Sequence, residues 1–416
     1  MPRLARPLAG ARALAVAATL LVAPAQAEPR APNLRPAETT DEGGIWSVSD
    51  KTELKAKASA ERNRDPALNA YVSGLACKLA AEYCGEIRVY VMDRPFLNAS
   101  MAPNGYTEVW SGLLLRAQSE DELAFVLGHE IGHFVENHTL ESWRATKSRA
   151  AGALALQVVV TVAAAGAAVN SGSYQGANDI MRAAGSINDI IYLGTVAAYF
   201  SYSRDNESEA DALGFRRMAK AGYDPTAPAG IWRAQIAETE ASSFKKVREQ
   251  PARASIFNSH PLSIERVKAL DTLAAGAPAG RAGDRKAYRA VIRPHLAAWL
   301  KDDLRRRDYG ESLALIGRLE DLGEDQGVLA FYRGEAYRQR REGDDLVKAR
   351  EAYVAAGAHA DAPLATWRVV GDLALQAGDT AAAKTAYETY LVRAPAAQDR
   401  WLVEASLKKL SEGSAI

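Results

Sequence analysis

Cysteine is almost missing from this chain: Cys77 and Cys84 are the only two in 416 residues. They are too few, and too badly spaced relative to the six histidines, to build a zinc site. Neither sign of charge is in excess. Lys+Arg and Asp+Glu both number 51, which argues against a general nucleic-acid binder. Long apolar runs are also scarce. The internal stretch 150–169 reaches the roughly 20 residues of a membrane span, but it carries Gln157, many alanines and no aromatic anchors. It reads as a buried or membrane-facing helix of the surrounding domain.

What is present begins with an export signal. Arg3, Arg6 and Arg12 form a basic n-region, Ala13 to Val22 an apolar h-region, and Ala25-Gln26-Ala27 a small-x-small cleavage site. Residues 1–27 are therefore expected to be a signal peptide, and no cysteine follows the site, so a bacterial lipid anchor is not expected. The expected mature chain starts at Glu28 in an oxidising compartment, the periplasm. There a close pair such as Cys77 and Cys84 is expected to form one disulfide, with a chain turn near Tyr83.

The polar exceptions inside one apolar run carry the chemistry. Residues 123–135 read Leu-Ala-Phe-Val-Leu-Gly-His-Glu-Ile-Gly-His-Phe-Val, polar only at His129, Glu130 and His133. A buried carboxylate costs several kcal/mol unless a charge compensates it, and a divalent metal supplies that charge. Positions i and i+4 share a helix face, so both imidazoles reach one ion. Glu130 is placed to take a proton from an activated water. Ser119-Glu120-Asp121-Glu122 is a capping box that starts the helix. Gly128 and Gly132 each cost about 1 kcal/mol of helix stability relative to Ala, an expense that suits a helix passing close to another backbone. The competing reading is two core histidines satisfied by hydrogen bonds. His138, nine residues after His129, would fall on the opposite side of a continuous helix, so a supporting place is expected for it.

The third ligand is sought in Ser203-Arg204-Asp205-Asn206-Glu207-Ser208-Glu209-Ala210-Asp211. Ser203 caps a new helix on which Glu207 and Asp211 share a face. Glu207 can bind the metal and Asp211 can orient a histidine through its other ring nitrogen. Read alone, this acidic segment is more often a solvated helix start stabilised by the helix dipole.

With these motifs in order, followed by Ala221-Gly222-Tyr223-Asp224-Pro225, the chain resembles the HExxH zinc metallopeptidase family of HtpX and the CAAX prenyl protease, and within it the BepA-like periplasmic proteases. The resemblance covers roughly residues 45–270. It implies one zinc per chain on His129, His133 and Glu207, with Glu130 as catalytic glutamate and Asp211 as supporting aspartate. Asn98, Ala99 and Ser100 resemble the family's substrate-binding edge strand, and His260, in Ser259-His260-Pro261, resembles a loop histidine that closes the active site as a regulatory fourth ligand. Pro261 keeps His260 out of a helix. Support of an oxyanion, or no role, are the other readings of His260.

The expected fold is α+β and mainly helical. Residues 28–45 read as a flexible leader and 46–273 as a zincin-type metallopeptidase domain with a small sheet. The sheet contains a strand at 87–92 and a hairpin, 98–101 and 107–110, around Pro103-Asn104-Gly105. A mobile loop at 170–178 and an apolar helix at 187–200 follow. Residues 274–285 read as a linker. Residues 286–412 read as an all-α tetratricopeptide-like domain, because Trp367, Gly371, Ala374, Ala383, Tyr387 and Pro395 match that repeat and Ala349 and Tyr353 precede two of them by one period. A divergent hairpin is expected over 286–322, and His295 and His359 are expected at the surface. Such repeats bind proteins on a concave face.

The functional expectation is a periplasmic zinc endopeptidase for misfolded or stalled envelope proteins, its repeats recruiting clients and contacting outer-membrane assembly machinery. Its partners are protein or peptide substrates, with peripheral membrane contact and no nucleic acid. The alternative is an assembly chaperone or scaffold whose zinc is structural. A membrane-embedded protease rests on residues 150–169 alone.

Overall fold

A computed structural model describes residues 29–147, 202–249 and 263–412. The expected signal peptide, the apolar segment 150–169, the loop and helix at 170–178 and 187–200, and His260 lie outside the described residues. Among the described residues, no helix is long and apolar enough to cross a membrane.

Two helices, α1 (Asp41–Ala58) and α2 (Pro66–Leu79), precede a small sheet. Asp65 caps α2 by accepting the N–H groups of Ala67 and Leu68, with Pro66 at the first position, where its missing donor costs nothing. A 3₁₀ turn, Ala81–Tyr83, reverses the chain and allows the Cys77–Cys84 disulfide, with the two Cα atoms 4.7 Å apart. The sheet holds β1 (Arg88–Met92), β2 (Ala99–Met101) and β3 (Tyr106–Trp110) in the order β1-β3-β2. β1 runs parallel to β3, and β2 pairs antiparallel with it, Ser100 opposite Glu108. The expected hairpin is there, and its short first strand is the edge. One face buries Val89, Val91, Ala99, Met101 and Val109 in the main core, and the other packs Tyr90, Met92 and Tyr106 on Ala56 of α1.

Four further helices complete this half: α3 (Ser111–Arg116), α4 (Glu120–Val135), α5 (Arg204–Lys220) and α6 (Ala227–Glu240). A single turn at Lys245–Arg248 and α7 (Ile264–Ala275) follow. Ser119 caps α4 by accepting the Glu122 N–H, while the Glu122 carboxylate accepts from Gln118 rather than from Ser119 itself. Ser203 and Asn206 form the full reciprocal box on α5.

The remaining chain is helical: α8 (Arg285–Leu304), α9 (Tyr309–Glu320), α10 (Gln326–Arg340), α11 (Asp345–Gly357), α12 (Ala365–Gln376), α13 (Thr380–Arg393) and α14 (Arg400–Ser411). The period seen in the sequence has a packing cause. Gly334 and Gly371 leave room for the rings of Tyr353 and Tyr387, where a Cβ would stand 2.8 and 2.4 Å from the ring carbons. Each tyrosine hydroxyl then donates to a carboxylate beside that glycine, Glu335 or Asp372.

Three expectations differ from the structure. The leader is docked where it is described. Arg30 is buried, donates to Pro103 and Glu86, and lies between the Trp46 and Phe134 rings at 4.5 and 4.6 Å. α1 already begins at Asp41, because Thr40 caps it. The stretch read as a linker is anchored too: Gly283 N–H donates to Asp121 at 2.7 Å, and Arg281 bridges to Tyr223. His295 is half-buried rather than at the surface, 2.8 Å from Asp65 and stacked on Trp299, whereas His359 is exposed.

Candidate active site

Small residues let α4 and α5 cross in near backbone contact. A Cβ on Gly214 would stand 2.6 Å from the His129 nitrogen, and one on Gly132 would stand 3.0 Å from Ala210 Cα. The two helix glycines expected to mark a close approach do so. The crossing lays the first turns of α5 over the middle of α4, so two motifs about 75 residues apart in sequence share one buried site.

His129, His133 and Glu207 converge there, at 2%, 1% and 2% exposure. Their nearest donor atoms are 3.0 Å (His129 Nε2 to His133 Nε2), 3.4 Å (His133 Nε2 to Glu207 Oε1) and 3.5 Å (His129 Nε2 to Glu207 Oε2) apart. Donors bonded to one tetrahedral zinc at about 2.0–2.1 Å stand roughly 3.3–3.4 Å apart. The triangle therefore has the size of one face of such a site, and these three form a candidate metal cluster.

Each histidine is held through its other nitrogen. Asp211 Oδ1 lies 2.9 Å from His129 Nδ1, which places the proton there and turns the Nε2 lone pair inward. His133 Nδ1 lies 2.9 Å from His138 Nδ1, and the His133 ring stacks on Tyr202 with centroids 4.0 Å apart. His138 reaches this place because α4 stops at Val135 and Asn137 takes φ 54°, reversing the chain. In a continuous helix it would have pointed away.

One residue at the site was not foreseen. Arg266, 7% exposed on α7, donates to both Asp211 oxygens at 2.7 Å and lies 2.7 Å from Glu207 Oε2. Burial opposes its charge, but Asp211, Glu207 and Glu130 outweigh it, and its pKa is raised. Burial likewise pushes Asp211 up, yet Arg266 and His129 hold its carboxyl below the usual value. The available signal was helical period: Ser263 caps α7, and Arg266 falls on the buried face with Val267 and Leu270. Among the described residues, three buried carboxylates (Glu130, Glu207, Asp211) face one buried guanidinium, a balance that a divalent cation neutralises.

Glu130 is 2% exposed, adjacent to His129 on α4. β2 packs beside that helix with the Ser100 side chain exposed, and Trp110 N–H donates to the Asn98 carbonyl where the edge segment begins. β2, which follows Asn98 and carries Ala99 and Ser100, is an edge strand packed against α4. His260 lies outside the described residues.

The family model of Peptidase family M48 matches residues 62–274. Metalloprotease YcaL of Escherichia coli is 33% identical over 181 residues, 43% of this chain and 59% of that protein. The beta-barrel assembly-enhancing protease of Yersinia pestis is 26% identical over 230 residues, 50% of this chain and 43% of that one. A Vibrio cholerae protein provisionally given the same name is 30% identical over 211 residues, 49% of this chain and 38% of its own length. The chain thus spans well under two thirds of the curated relatives it matches.

Proposed function

The chain belongs to peptidase family M48, and from that premise we propose that it is a zinc metalloendopeptidase acting on envelope proteins. His129, His133 and Glu207 hold one zinc, and the observation that carries this is their buried triangle with zinc-sized edges. The ion supplies Lewis-acid chemistry, polarising the scissile carbonyl and making water a nucleophile at neutral pH. Glu130 accepts the proton of the attacking water and returns it to the leaving amine. Asp211 keeps His129 in the tautomer that presents Nε2, and Arg266 sets a positive charge against Asp211 and Glu207. The substrate adds as a strand along Asn98, Ala99 and Ser100, where backbone bonds give affinity without demanding one sequence. The resemblance of Ser259-His260-Pro261 to the family's loop histidine supports a regulatory fourth-ligand role for His260.

Periplasmic location, behind a signal peptide at 1–27, is supported by the reading of the N-terminus and by the disulfide. The relatives named for beta-barrel assembly support misfolded or stalled outer-membrane proteins as clients. Residues 286–412, with their paired helices, serve as the tetratricopeptide-like recruiting domain. Glu130→Gln should retain zinc, measured by elemental analysis, while casein cleavage falls by several orders of magnitude. Full activity in that variant would remove Glu130 from the mechanism, whereas zinc binding without any cleavage by the wild type would favour a scaffold with structural zinc.

A further inference from the structure

We propose that His138 and Glu209 form a relay that positions His133, the counterpart of the Asp211 contact on His129. The inference rests on the metal-site reading above. It follows from donor and acceptor accounting. For the Nε2 of His133 to face Glu207 and the metal with its lone pair, a neutral ring must carry its proton on Nδ1. That nitrogen lies 2.9 Å from Nδ1 of His138. Two ring nitrogens at this distance need one donor and one acceptor, so His138 accepts at Nδ1 and is protonated at Nε2. Nε2 of His138 in turn lies 3.4 Å from Glu209 Oε2, a carboxylate that only accepts when ionised. The chain of tautomers closes without a conflict: Glu209 fixes His138, and His138 fixes His133.

The two relays differ in exposure. Asp211 is buried and tied by Arg266, while Glu209 has a half-exposed side chain at 51%. His138 itself is 1% exposed, and it opens the helical stretch that follows the reversal at Asn137. A buried imidazole that meets a metal-facing histidine on one side and a carboxylate on the other is more than a space filler. A Leu of similar bulk would pack there but accept nothing.

The test compares His138→Leu, His138→Asn and Glu209→Ala with the wild-type protein. Zinc affinity is read by competition with a chromogenic chelator, and the thermal midpoint of the metal-free protein is read beside it. Asn places Oδ1 where Nδ1 of the imidazole accepts. The relay predicts zinc binding weakened about 10- to 100-fold in the Leu variant, recovered in large part by Asn, and weakened less by Glu209→Ala, since the Glu209 carboxylate is half in solvent. Metal-free midpoints should stay close together. Equal loss of affinity in Leu and Asn variants, with a matching fall in midpoint, would make His138 a packing residue and overturn the proposal. Wild-type affinity in the Leu variant would overturn it as well. Failure of the wild-type protein to bind zinc would instead count against the metal site itself.

Discussion

Arg266 is the residue on which the charges of the site depend, because it meets Glu207 and Asp211 at once while nearly out of reach of water. Removing one partner of a buried ion pair typically costs about 3–5 kcal/mol, since the other charge is left uncompensated. Arg266→Met should therefore lower the thermal midpoint of the metal-free protein strongly. Saturating zinc brings its own positive charge to the same carboxylates, so the gap to wild type should narrow. Midpoints of both proteins, with zinc and with chelator, check this; a gap that zinc leaves unchanged or widens would show that Arg266 acts through packing alone. The contrast with the histidines explains what was legible. His129 with His133, and Glu207 with Asp211, are neighbours by helical period, so a local pattern reveals them. Arg266 pairs across 55 residues with Asp211, and only its misfit on an apolar helix face betrays it.

At the scale of elements, the crossing of α4 and α5 decides whether the two motifs meet. Its closeness was hinted by Gly128 and Gly132, but Gly214, which faces Gly128, lies just after a segment that reads as a plain acidic helix start. Adding a methyl group at Gly214 puts it 2.6 Å from the His129 nitrogen and 2.8 Å from the Gly128 carbonyl carbon. Backbone cannot swing aside as a side chain would, so the helices must part. Overpacking of this kind costs about 1–3 kcal/mol, and parting also draws Glu207 away from the imidazoles. Gly214→Ala should thus lose zinc affinity and stability together. Gly74→Ala on α2 is the control: it meets nothing within 4 Å and should be neutral or stabilising by up to about 1 kcal/mol through helix propensity. Zinc affinity in Gly214→Ala equal to wild type would mean the close crossing is incidental to the site.

For the whole molecule, the sequence suggests a cut near residue 280 that the packing does not respect. Composition drew attention to the Ala/Gly/Pro-rich stretch, yet the core that begins with Leu68 runs on through Tyr288, Leu296, Trp299, Leu315 and Tyr353. Arg116, 1% exposed on α3, lies 2.8 Å from Glu238 of α6 and 2.8 Å from Asp303 of α8. Arg306 binds the same Asp303, and Tyr288 donates to the Leu114 carbonyl. Apart from the local Arg306–Asp303 pair, these pairings join residues up to 187 apart, and no periodicity announces them. The second cluster, with Trp367, Tyr387, Tyr390 and Val403, is separate and confined to α12–α14 and their connections. A fragment of residues 29–284 strips Asp303 from Arg116 and uncovers the surface that α8 buries. It should aggregate or bind a hydrophobic dye, and show no cooperative melt. A fragment of 29–360 keeps the first core and should still take up zinc and cleave an unstructured peptide, while losing the last three helices, α12–α14, of the proposed recruiting domain. Calorimetry and zinc titration of the two fragments check this. Cooperative melting with zinc uptake by 29–284 alone would mean that the composition break, rather than the shared core, marks the edge of the folding unit.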